Sequence, residues 1–127
     1  AAIKSQANSA PHVPTFMMEA ARVALSCDNY VEEFNAEYLK RRDIIMQGLS
    51  EIPGLRIGDL EGAFYAFVDI TGTGMTDIEF ADGALKAGVQ LIPASLITGG
   101  EGFVRISYAA DEEVIFEGLK RLKKWLI

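Results

Sequence analysis

The chain has 127 residues, half of them hydrophobic and 24% charged, with a single cysteine; this is the size of one domain with one core, and the composition of neither a disordered tract nor a disulfide scaffold. Twelve basic residues stand against 18 acidic ones, a net charge of −6, and the one basic cluster (Lys120, Arg121, Lys123, Lys124) falls where cations complement the end of a helix, which argues against a nucleic-acid partner. Cys27 alone makes no internal disulfide or thiolate metal site and is expected in the core, while no run reaches the roughly 18 apolar residues of a membrane span, so a cytoplasmic protein without a membrane partner is expected.

Residues 1–13, "AAIKSQANSAPHV", show no apolar period and read as an extended arm. They begin without an initiator Met, which carries the expectation of a piece of a longer chain. Pro14 suits the first turn of a helix, and "TFMMEAARVALS" supplies strong helix formers up to about Ser26. A second helix follows, with Tyr30, Phe34, Tyr38, Ile45, Leu49 and Ile52 at helical spacing on one face, and ends at Pro53-Gly54.

The period then changes. "LRI" is a short strand, Gly58 to Gly62 a turn, and "AFYAFVDI" a second strand that pairs back on the first as an antiparallel hairpin and ends at "TGTG". Thr76 with Glu79 three residues on is a capping box for a helix through Lys86, and Gly88 supplies its left-handed stop. "VQLIP" is a short buried strand, "ASLITGGEG" a loop, and "GFVRISYAA" (102–110) a strand. Asp111 is placed to cap a last helix that carries Ile115, Leu119, Leu122 and Leu126 on one face. The fold class predicted is α+β: a small, mostly antiparallel sheet with helices packed on one face.

Most catalytic chemistries find no support in these residues. His12 is the only histidine, with no partner at metal-ligand spacing and no nucleophile elbow to serve. The glycines at 72, 74, 99, 100 and 102 form no phosphate-binding motif, and Asp77 in the turn after "TGTG" would repel an anion. Arg105 stands out. Strand alternation puts Phe103, Arg105 and Ser107 on one face, with Val104, Ile106 and Tyr108 on the other. A planar five-donor fork on a strand suits a carboxylate, but an arginine facing solvent or paired to an internal acid satisfies the same pattern, and the residues alone leave both readings open.

Three ordered motifs carry a resemblance. "LEGAFYAF" (60–67), "AGVQLIPA" (87–94) and "GFVRISYA" (102–109) are similar, in order and spacing, to signatures of the C-terminal small domain of fold-type I pyridoxal-phosphate aminotransferases, the aspartate aminotransferase family. The "RRD" at 41–43, the "IPGL" at 52–55, the terminal helix "DEEVIFEGLKRLKKWL" and the opening "SQANSAP" fit the same pattern, so the resemblance covers essentially the whole chain.

This resemblance implies an arm over 1–13 between domains, a small domain over 14–127, and transfer of an amino group between an amino acid and a 2-oxo acid with pyridoxal 5'-phosphate. It implies that Arg105 binds the substrate α-carboxylate and that Phe64 lines the substrate end of the site. The family's Schiff-base lysine stretch has no counterpart: Lys4 lacks both its flanking serines and the "GxRxG" that follows. The cofactor therefore falls to a large domain of the same chain, the full-length protein to a homodimer, and the piece alone to inactivity. "PASLI" at 93–97 replaces the family's "PGSxFG", which bears on the loop before the arginine strand. Two other readings remain: an aminotransferase-like effector-binding domain of a transcription regulator, and a non-catalytic α+β ligand-binding or interaction module.

Overall fold

The structure, a computed structural model, describes residues 13–127. They divide into two compact units, one ending at Asn35 and one running from Ala36 to Ile127. The arm expected over 1–13, with Lys4 and His12, lies outside the described residues except for Val13.

The first unit holds helix α1 (Thr15–Ala24) and the opening turns of α2 (Asp28–Ser50). Pro14 occupies the N-cap of α1 with φ −55°, its ring presetting the dihedral that the first turn needs. α1 buries no residue fully, and Phe16, Met17, Met18 and Leu25 are exposed. Tyr30 and Phe34, expected on the buried face of α2, are exposed at 54% and 63%: helical spacing puts side chains on one stripe, but only a packed neighbour buries the stripe. Cys27, expected in the core, is only half-buried between the two helices, with its thiol donating to the Val23 carbonyl at 3.3 Å.

In the second unit α2 meets its partners, and the spacing holds. Ile45 and Leu49 are buried, Tyr38 and Ile44 partly so. The helix stops at Ser50, whose hydroxyl donates to the Gln47 carbonyl, and the chain turns through Gly54 at φ 86°. That turn touches the loop after the second strand: a Cβ on Gly72 would lie 2.7 Å from the Gly54 carbonyl oxygen and 2.9 Å from its Cα, so only glycine permits the approach.

Strands β1 (Arg56–Ile57), β2 (Tyr65–Asp69), β3 (Ile92–Pro93) and β4 (Phe103–Ser107) form one antiparallel sheet in the order β1-β2-β4-β3. The expected hairpin is β1 with β2, shorter than the hydrophobic run suggested, since pairing begins at Tyr65.

Helix α3 (Asp77–Lys86) starts with the predicted box: the Glu79 N–H donates to Thr76 Oγ1 at 3.2 Å and the Thr76 N–H to Glu79 Oε2 at 2.9 Å. The helix ends in a Schellman turn, with Gly88 at φ 83° and the Val89 N–H reaching the Ala84 carbonyl at 2.9 Å. Thr76→Ala is expected to lower stability by about 1 kcal/mol, as loss of an N-cap generally does, and urea unfolding of the variant against the parent reads it directly.

Helix α4 (Glu112–Leu126) buries Ile115, Leu119 and Leu122 and half-buries Leu126. Asp111 sits at its N-cap position with extended backbone but makes no capping hydrogen bond; its carboxylate lies 3.9 Å from Arg41. The helix face joins Ile45 and Leu49 of α2 and Phe80 and Ala84 of α3 over Ala66, Val68, Val104 and Ile106 of the sheet, in one core. Helices thus cover one face of the sheet, as predicted. The other face carries Arg105.

Candidate functional site

Alternation along β2 and β4 divides the sheet cleanly. Ala66, Val68, Val104 and Ile106 point into the core, while Tyr65, Phe67, Phe103, Arg105 and Ser107 point away from it. The register pairs Phe67 with Arg105 and Tyr65 with Ser107 across β2 and β4, and Ile92 of β3 with Arg105 on the other side. Arg105 therefore stands on a strand with neighbours on both flanks, and its Cα is fixed by ladder hydrogen bonds in both directions.

The guanidinium is half-buried, and its Cζ lies 4.3 Å from the centroid of the Tyr65 ring. Every other arginine pairs with a carboxylate: Arg22 with Glu19, Arg41 with Glu37, Arg42 with Asp43, Arg56 with Asp69 and Arg121 with Glu117. Among the described residues, no acid pairs with Arg105. A fork held against an aromatic face with its donors unspent is chemically able to receive a planar anion.

Other aromatic rings stand near it on the sheet. Phe67 stacks on Phe103 at 5.7 Å between centroids. Phe64, the other residue singled out from the sequence, is 40% exposed and lies one ring away from the guanidinium: its ring meets Tyr65 at 4.5 Å and Tyr38 of α2 at 6.2 Å. Tyr65 was not singled out, although the signal existed. It shares the face of Phe67 and pairs with Ser107, two residues from Arg105, so an antiparallel register puts it on the diagonal within reach of a long side chain.

Just before these rings the backbone takes an uncommon turn. Ala63 has φ 61° and is the only non-glycine at positive φ among the described residues, a conformation that costs an L-residue about 1 kcal/mol or more. Tyr108 holds it there: its hydroxyl donates to the Ala63 carbonyl at 2.8 Å and its N–H to the Phe64 carbonyl at 2.9 Å. Burial raises the Tyr108 phenol above its ordinary pKa, outweighing the lowering influence of Arg42, so it stays a donor at neutral pH.

The loop before β4 is tied down from below. After β3 the chain makes one 3-10 turn, Ala94–Leu96, and the Ser95 N–H donates to Asp77 Oδ2 at 2.8 Å while the Ile78 N–H donates to Oδ1 at 3.1 Å. Asp77 is buried, at 2% exposure. Its carboxylate serves as an internal anchor for two amides, one of them on the loop that leads to Arg105. Ser95, through its hydroxyl beside the carboxylate and then its N–H, holds the Asp77 carboxyl below its usual range, against the opposing effect of burial.

A carboxyl with a lowered folded pKa stabilises the fold at neutral pH, and that contribution fades as the pH falls through the folded value. Asp77→Ala is accordingly expected to lower the melting temperature at pH 7, with the gap to the parent narrowing below the ordinary carboxylate range. Melting curves across an acid series check it.

Among the described residues no helix is long and apolar enough to cross a membrane, and no group of three or more His, Cys, Asp or Glu could hold a metal ion. The described lysines, Lys40, Lys86, Lys120, Lys123 and Lys124, are all carried by helices and none by the sheet.

The family model for aminotransferases of class I and II matches residues 1–122. The chain is 43% identical over 98 residues to an aspartate aminotransferase of Pyrococcus horikoshii, covering 76% of this chain and 25% of that protein. It is 37% identical over 133 residues to a probable aspartate/prephenate aminotransferase of Aquifex aeolicus, covering 99% of this chain and 33% of that one. The crystal structure of an aromatic aminotransferase from Pyrococcus horikoshii superposes with a TM-score of 0.87 and 38% identity, over 96% of this chain and 34% of its own. The chain thus spans a quarter to a third of the length of these relatives.

Proposed function

Since the chain belongs to the class I and II aminotransferase family, we propose that it forms the C-terminal small domain, residues 14–127, of a longer aminotransferase, with Arg105 binding the α-carboxylate of the amino acid and 2-oxo acid substrates. One observation carries this reading: Arg105 is the arginine that no acid pairs with among the described residues, half-buried on a paired strand with its guanidinium against a ring.

The chemistry of such a group follows from its shape. Two parallel N–H donors of the fork meet the two oxygens of a carboxylate, which fixes the plane of that carboxylate as well as its position. Once that plane is fixed, the bonds at the α-carbon are fixed in direction too, and rotational freedom of the substrate is lost on binding and not during reaction. Aromatic neighbours exclude water from one side of the pair and strengthen it. Phe64, behind Tyr65, forms the apolar border of that end of the site.

Pyridoxal 5'-phosphate, which this family generally uses, supplies the electron sink for amino-group exchange. The described lysines all lie on helices and none on the sheet that carries Arg105. In this reading the cofactor is held by a large domain of the same protein, working as a cytoplasmic homodimer, and this chain alone does not turn over.

The test compares an amino acid substrate with its carboxamide in the complete protein. A neutral amide offers the fork one acceptor oxygen, no charge and a donor in place of the second acceptor, so the parent protein is expected to favour the acid by a hundredfold or more in kcat/KM (on the order of 3 kcal/mol for a charged pair), and Arg105→Ala to abolish most of that preference. Equal preference in both proteins refutes the assignment.

A further inference from the structure

A strand fixes the Cα of an arginine, but the fork at the end of the side chain still turns about several bonds. If Arg105 binds a carboxylate, something has to aim it. In most proteins an acid does this, and an acid here would neutralise the charge and occupy the very donors that the ligand needs. A ring face attracts a guanidinium through its π cloud and leaves the in-plane N–H groups free. Tyr65 offers that face at 4.3 Å.

The ring of Tyr65 is itself supported. Phe64 lies against it at 4.5 Å, Tyr38 of α2 follows at 6.2 Å from Phe64, and Arg41 closes the row 5.5 Å over Tyr38 while donating to Glu37 at 3.2 Å. At the chain end of the same run, the turn at Ala63 is pinned by the Tyr108 hydroxyl. A helix and a locked turn thus hold the rings, and the rings hold the cation.

We propose that Tyr65 is a positioning residue for Arg105: its ring, backed by Phe64 and Tyr38, holds the guanidinium in one orientation with its donors open to a carboxylate. The proposal rests on the reading of Arg105 as the carboxylate-binding group and adds to it a residue that acts only through the arginine.

The experiment measures binding of 3-phenylpropionate, a carboxylate that has no amino group and cannot react, to the complete protein by calorimetry at fixed pH and salt. Tyr65→Leu is expected to weaken binding by roughly tenfold, the scale of a partly desolvated cation–π contact together with the ordering of one long side chain. Tyr65→Phe, which keeps the ring and loses only the hydroxyl, recovers most of that loss. In an Arg105→Ala background, Tyr65→Leu adds less than about twofold, because contacts that act through one group are not additive.

An unchanged affinity in Tyr65→Leu, or the same tenfold loss with Arg105 absent, overturns the positioning role and leaves the role of Arg105 intact. Unchanged affinity in Arg105→Ala alone overturns both. Tyr65 is 37% exposed, so its replacement hollows no core; should Tyr65→Leu nevertheless fail to fold, Tyr65→Met makes the same comparison.

Discussion

Arg105→Ala in the complete protein is expected to lower kcat/KM for its amino acid substrate by at least two decades while leaving the melting temperature nearly unchanged. The magnitude follows from removing one partner of a charge-assisted, partly desolvated pair, about 2 to 5 kcal/mol. The separation from stability follows from the structure: Arg105 lies on the face of the sheet away from the core, and within the described residues it takes with it no ion pair or side-chain hydrogen bond, only the contact with the exposed Tyr65 ring. Arg105→Lys should regain only part of the rate, since an ammonium is a point charge that cannot meet two oxygens in one plane. The same variant separates the alternatives left open by the sequence. An effector-binding domain would lose ligand affinity with no turnover to lose, and an interaction module would lose neither.

Phe80→Ala should have the opposite profile, a loss of stability that owes nothing to substrate. Phe80 is fully buried and meets Trp125 edge-on at 5.1 Å between centroids, joining α3 to α4 over the sheet. Emptying a site of that size costs about 3 to 5 kcal/mol, a large share of the roughly 5 to 15 kcal/mol that holds a domain together. Equilibrium urea unfolding should show the midpoint falling with little change in slope. Phe80→Leu, which refills most of the volume, should lose much less. Equal losses for the two would mean that the aromatic contact with Trp125, and not volume, is what matters there.

Local signals in this sequence were reliable because their physics is local. The Thr76–Glu79 box and the Gly88 stop each involve a few consecutive residues, and both occur where they were expected. So does the alternation that puts Arg105 on one face of β4 and Val104 and Ile106 on the other. Burial was less legible. Tyr30 and Phe34 continue the same helical stripe as Ile45 and Leu49, yet the first pair is exposed and the second buried, because periodicity says which residues share a face and not what packs against it. Asp111 has the right identity and backbone for a cap and leaves the hydrogen bond unmade.

What surrounds Arg105 was the least legible of all. The Tyr65 contact, the turn at Ala63 and the Tyr108 hydroxyl that holds it join residues on either side of a long connection, donor and acceptor standing 45 positions apart in the last case. Such contacts depend on strand register, and a shift of one residue would have turned every one of these side chains to the other face.

The most direct measurement is a crystal structure of the complete protein with a bound, unreactive amino acid analogue. The account predicts two nitrogens of the Arg105 guanidinium about 2.8 Å from the two oxygens of the α-carboxylate, with the Tyr65 ring still beneath the cation. A carboxylate gripped by some other cation, with Arg105 outside hydrogen-bonding distance of it, would contradict the account.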